Sequence, residues 1–128
     1  MNEYQPGVCN IGRDERRKRR LSGILSLLAA VGVVGFVLLS DRPDTLLLWS
    51  FPLFFGGFIG LLQDRLGFCA GFGALARYDL SGSGGGAGKI NEREAVRRDR
   101  IRALQVVGYA TAAALVATAA AYALGTAL

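Results

Sequence analysis

The stretch "RDERRKRRLSGILSLLAAVGVVGFVLL", residues 13–39, decides how the chain is read. Its first eight residues carry six cations against two anions, and the next 19, from Leu21 to Leu39, carry no charge. At a rise of about 1.5 Å per residue the uncharged run makes roughly 28 Å of helix, close to the hydrocarbon thickness of a bilayer. A basic block that ends where such a run begins reads as the edge of a membrane. The same logic then applies along the rest of the chain.

Two more spans follow. Leu46–Leu62, "LLLWSFPLFFGGFIGLL", is at the short end for a crossing, with Trp49 and Phe51 where aromatic side chains favour the headgroup zone. Pro52 falls in its first turns, where a missing N–H is tolerated. Residues 103–128 form a third uncharged run. Between the first two spans, "SDRPDT" is long enough only for a tight turn, with Asp44 or Thr45 available as a helix cap. The fold class expected is an all-α integral membrane protein with three spans, about 21–39, 46–62 and 103–128.

Charge placement orients those spans. The formal charge is +5 over 128 residues. It collects at Arg16, Arg17, Lys18, Arg19 and Arg20 before the first span and at 89–102, including Arg97 and Arg98, before the third. The turn at 41–45 holds one cation, Arg42. The positive-inside rule then puts the N-terminus in the cytoplasm and the C-terminus outside, in a bacterial or archaeal inner membrane. The 20-residue lead and the lack of a small-x-small site before "SDRPD" oppose a cleaved signal peptide. Basic patches also suit nucleic acid. Here each abuts an apolar run, so the expected partners are the bilayer and its anionic headgroups, with no nucleic acid.

The chemistry on offer is narrow. Histidine is absent, and two cysteines cannot complete a four-ligand zinc site, so no metal and no cofactor is expected. "SGSGGGAGK", residues 81–89, resembles a phosphate-binding loop only superficially. Ser83 stands where the first glycine is required and Ile90 where a hydroxyl is required. Its composition reads as a flexible linker over 81–90, between a hairpin unit at 21–80 and a stem with the third span at 91–128; a basic segment, 1–20, comes before them. The stem at 91–102 reads as a cytoplasmic helix running into the third span, capped by Asn91 with Glu94 reaching back, and stabilised by a Glu94–Arg98 pair.

Membrane helices associate through close backbone approach. Gly56 and Gly60 in the second span, and Ala113, Ala117, Ala121 and Gly125 in the third, form small-residue faces suited to packing within the chain or between chains. No Asp, Glu, Lys or Arg lies inside any span, which disfavours an ion or proton pathway. An oligomeric channel for a neutral solute is the weakest reading.

"LGFCAGFGALA", residues 66–76, is too short to cross. It is expected as an interfacial or re-entrant segment, the other placement being a continuation of the second span. Either puts Cys69 on the same side as Cys9 and near arginines, whose charge raises thiol reactivity. Asn10, Gly12, Glu15, Arg16, Arg19 and Gly23 stand at the spacings of Asn-x-Gly-x-x-Asp/Glu-Arg-x-x-Arg-x-x-x-Gly, and Cys69 with Phe72 follows the second span. In this residues 9–77 resemble the YgaP-like small bacterial inner-membrane domains. The resemblance implies a two-helix hairpin with cytoplasmic ends and hints at sulfur chemistry. Ala70 departs from the family's proline, Cys9 is extra, and the linker and third span have no counterpart. On this pattern Glu15 and Arg16–Arg19 are expected to form a short interfacial helix that turns into the membrane at Gly23.

The function expected is that of a small non-enzymatic accessory or assembly subunit. It would pack against other membrane helices, either as a homo-oligomer or within a larger complex. A thiol-based redox or sulfur-handling protein using Cys9 and Cys69 is the alternative.

Overall fold

In the computed structural model, which describes residues 4–128, the basic block and the first apolar run form one helix, α1 (Arg13–Leu38). The first three residues of the basic N-terminal segment lie outside the described residues. The separate interfacial helix expected at 15–19 is not seen. Glu15 accepts from Arg19 Nη1 at 2.9 Å and from Lys18 Nζ at 3.1 Å, i,i+4 and i,i+3 contacts that belong to an unbroken helix. Gly23 is no hinge. A Cβ there would lie 2.9 Å from Gly57 O and 2.9 Å from Leu61 N, so its missing side chain lets a second helix approach.

That second helix is reached through a 3₁₀ segment, Asp44–Ser50, before α2 (Phe51–Leu66). Pro52 explains the change of pitch. It has no N–H for the Leu48 carbonyl, which accepts instead from Phe51 N–H in the tighter i→i+3 pattern. Neither Asp44 nor Thr45 caps the segment; Pro43 occupies the N-cap position with no side-chain hydrogen bond. α2 runs past Asp64 and Arg65 and ends at Gly67, whose φ of 66° is the left-handed conformation of a helix C-terminus. Its N–H and that of Phe68 return to Asp64 O and Gln63 O.

Residues 66–76 therefore divide. Leu66 ends α2, and Ala70–Ala74 form a one-turn helix, α3, packed on the last helix. The glycine-rich linker is also folded. Strands β1 (Arg77–Asp79) and β2 (Ala87–Lys89) pair antiparallel, Arg77 opposite Lys89, around a loop turned by Gly82 and Gly84 at positive φ. Composition predicted a loose chain because glycine weakens strands, but here other segments take up the backbone groups. Ile11 makes a parallel bridge with Asp79, with Gly12 N–H to Asp79 O at 2.7 Å and Asp79 N–H to Asn10 O at 2.8 Å.

Helix α4 (Arg93–Ala127) merges the stem and the third apolar run, as the sequence suggested. Its N-cap position is Glu92 rather than Asn91, with no side-chain cap. Glu94 turns outward to Arg98 at 3.3 Å and Arg97 at 3.5 Å.

Three helical stretches, Arg13–Leu38, Asp44–Leu66 and Arg93–Ala127, are long and apolar enough to cross a membrane. The central stretch packs against both others. Against α1 it uses its glycines. A Cβ on Gly60 would sit 2.7 Å from Arg19 O and 2.8 Å from Gly23 Cα, one on Gly56 2.8 Å from Ser26 Oγ, and one on Gly57 inside Leu27. Against α4 it meets a seam of Ala103, Val106, Ala110, Ala114, Thr118, Ala121 and Gly125, all buried. A core of Phe68, Ala70, Ala103 and Val106 closes the junction of α2, α3 and α4 near the charged end.

Candidate functional site

The charged ends of the helices are covered by the segment before α1, by α3 and by the hairpin, and most of the polar chemistry lies there. Asn10 organises it. Its side chain is fully buried, donates from Nδ2 to Cys69 O at 3.0 Å and accepts from Cys69 N–H at 2.6 Å, a two-bond clamp on the first residue before α3. The backbone of the same segment holds on as well: Asn10 N–H and Ile11 N–H both donate to Gly67 O, at 3.1 and 3.3 Å. Gln63 completes the frame by accepting from Ala70 N–H at 2.9 Å.

The clamp joins the segments that carry the two cysteines, a proximity that the sequence left open. Both thiols are free and buried. They face different partners. Cys9 Sγ donates to Ile11 O at 3.5 Å, whereas Cys69 Sγ receives Arg19 Nη2 at 3.3 Å. Arg19 is the most constrained of the basic residues, bonded also to Glu15 and lying over the Phe72 ring at 5.7 Å. Lys18 shares Glu15.

Asp99 ties the other side down. Its carboxylate is fully buried and accepts from Tyr4 Oη at 2.6 Å and from Gly7 N–H at 2.7 Å. Tyr4 also stacks on Tyr78 of the hairpin, ring centroids 5.4 Å apart. Burial, and then the hydrogen bond and charge of Asp99, push the Tyr4 phenol well above its ordinary range. Asp79 moves the opposite way: the hydroxyl and N–H of Ser81, at 2.5 and 3.0 Å, hold its carboxyl below the usual value against some desolvation.

The remaining basic residues of the sequence reading separate. Arg16, Arg17 and Arg20 line a cleft on the outer side of α1 with Arg13, Leu21, Asp64 and Ser83. Arg97 and Arg98 are exposed on α4 and paired with Glu94. Among the packing residues, Gly56 and Gly60 serve α1 within this chain, and Ala121 and Gly125 are buried. Ala113 and Ala117 are only half-buried, because the seam of α4 runs one residue later, through Ala114 and Thr118. Among the described residues no group of three or more Cys, Asp or Glu is placed to hold a metal ion.

Sequence reasoning passed over Asn10 as a clamp, Gln63, Asp99, and the cleft's Arg13, Asp64 and Ser83. Asp99 left a signal: it falls on the stripe Ala95–Asp99–Ala103, one helical face whose other members are small and apolar. Asn10 heads the motif of the opening segment, but nothing local to it points to its partner, 59 residues away.

No family model matches the chain, and no curated protein or solved structure matches it. The YgaP-like resemblance of residues 9–77 is neither supported nor opposed by them.

Proposed function

We propose that this is a multi-pass protein of a bacterial or archaeal cytoplasmic membrane, with its N-terminus and clamped cap inside and its C-terminus outside. We further propose that it works as a non-enzymatic accessory or assembly subunit. Helix length and apolarity support insertion, and the basic residues at one pole support the orientation. In that frame α3 and residues around it lie at the inner interface.

One observation carries the accessory reading. Gly32 and Gly35 on α1, and Gly108 on α4, have open space where a side chain would stand. The other glycines of the three long helices meet neighbours, and Gly23, Gly57 and Gly60 let α1 and α2 touch. Glycine costs roughly 1 kcal/mol in a helix relative to alanine, and in apolar helices it is offset by close approach of a neighbour. Three glycines with nothing over them suit helices from outside the chain, either a second copy or another subunit.

The test is the double substitution Gly32→Leu/Gly35→Leu, with gentle detergent extraction and mass spectrometry of what co-purifies. Stoichiometric partners should fall at least tenfold while the chain itself stays folded. Undiminished recovery of the same partners would remove the argument. Ala121→Leu is a poorer probe, because Ala121 is already buried inside this chain.

The second reading, a thiol-based redox or sulfur-handling protein, draws on the contact between Arg19 and Cys69. A chain with Cys9→Ala and Cys69→Ala should then fail under oxidant or sulfur stress; normal growth of that strain would end this reading.

A further inference from the structure

Arg13, Arg16, Arg17 and Arg20 follow an i, i+3, i+4, i+7 pattern and so share one face of α1. They line a cleft of about 590 Å³ together with Leu21, Asp64 of α2 and Ser83 of the hairpin loop. Four like charges in that arrangement repel one another, and nearby carboxylates offset this only in part. Asp64 lies 3.6 Å from Arg16 and 3.9 Å from Arg20, and its backbone oxygen accepts from Arg16 Nε at 2.8 Å. Among the described residues Arg13 and Arg17 have no carboxylate within ion-pair distance. The cleft therefore keeps a net +3. The other basic helix segment differs: there Glu94 sits against both Arg97 and Arg98.

Position and size narrow the class of anion that the cleft fits. Leu21, the first residue of the uncharged run, forms part of the cleft wall, so the arginines sit where headgroup meets hydrocarbon. Guanidinium groups match phosphate oxygens through paired N–H donors. The stripe extends about 10 Å along the helix, more than one phosphate covers. Ser83 adds a hydroxyl: its Oγ already accepts from Arg13 N–H at 2.8 Å, which leaves its proton to donate.

We infer that this cleft is a binding site for the headgroup of an anionic phospholipid of the inner leaflet, one carrying two phosphates. One phosphate is held by Arg13, Arg17 and Ser83, the other by Arg16 and Arg20, which Asp64 positions. The inference rests on the membrane placement proposed above and is independent of which helices meet Gly32 and Gly35.

The test uses the full chain, purified in neutral detergent, and native mass spectrometry with added cardiolipin, phosphatidylglycerol or phosphatidylcholine. Cardiolipin should be retained beyond what its charge alone gives relative to phosphatidylglycerol, and phosphatidylcholine should be lost. Arg13→Gln/Arg17→Gln should weaken cardiolipin retention about tenfold or more, whereas Arg97→Gln/Arg98→Gln, an equal change of net charge, should leave it intact. Neither pair is buried, and helicity and detergent-unfolding midpoints equal to the parent chain's are the control that both variants fold. Equal weakening by the two pairs would overturn the site in favour of general surface charge. Full displacement of cardiolipin by equimolar pyrophosphate would overturn the lipid assignment in favour of a soluble anion. Alkaline carbonate extraction tests the membrane premise separately, and a chain released by it would end the inference at that step.

Discussion

Gly60→Ala is expected to destabilise the helix pair α1–α2 by about 2 kcal/mol, the usual scale for forcing a methyl group into filled space. The new Cβ would lie 2.7 Å from Arg19 O and 2.8 Å from Gly23 Cα. Both are backbone atoms, so no rotamer change relieves the clash and the helix axes must separate. Separation costs more than one contact, because Gly23 and Gly57 use the same close approach. Gly60→Leu should be worse. The matched control is Gly32→Ala, with open space at the new Cβ and a small gain in helix propensity. Unfolding of the purified chain by a titration of denaturing detergent, followed by helicity, reads both. A shared midpoint for Gly60→Ala and Gly32→Ala would mean that α1 and α2 do not meet as described.

The second large effect is expected at Asn10. Asn10→Ala removes both bonds of the clamp at once and leaves the N–H of Cys69 buried without a partner, while Cys69 O still accepts from Gly73 N–H at 2.9 Å. An unsatisfied buried polar group costs about 1–3 kcal/mol, so the loss is about 2 kcal/mol. That loss falls on a local opening rather than on the apolar helices, since the segments joined are residues 9–12 and 67–70. At a tenfold change per 1.4 kcal/mol, the population of the open form rises roughly 30-fold. Maleimide labelling of Cys69 in a Cys9→Ala background reports it, as modification of a buried thiol follows the open population when closing is fast. Asn10→Asp tests the chemistry of the clamp, because a carboxylate keeps the acceptor for Cys69 N–H but not the donor to Cys69 O. An intermediate rate is expected. Labelling as slow as in the parent chain for Asn10→Ala would show that the backbone bonds to Gly67 O suffice.

The two predictions probe features of very different visibility in the sequence. Gly56 and Gly60 stood out at the spacing of a packing motif, and the structure adds that their partner is α1. The face of α4 was read through Ala113 and Ala117, one residue before the buried seam at Ala114 and Thr118. A helix with alanine on nearly every side gives no contrast to locate a stripe, so rotation about its axis is set by whatever packs against it. The glycine-rich stretch 81–89 has the composition of a linker yet contributes a strand, because composition reports what a segment tolerates alone. Its hairpin exists through bonds to Asn10, Gly12 and Ala76 from outside it.

By itself, the sequence determined three apolar helical stretches, the basic blocks at their ends and the orientation those blocks favour. Helix length, hydropathy and charge are sums over neighbouring residues, so a local pattern is enough. Only the tertiary structure decided that Gly23 is a contact and not a hinge, that Asn10 holds Cys69, that Asp99 receives Tyr4, and that Asp64 and Ser83 join four arginines in one cleft. Each of these depends on the angle and register between helices and on hydrogen bonds spanning tens of residues. Such terms are fixed when the segments meet, because a buried polar group must find its partner wherever the fold brings one.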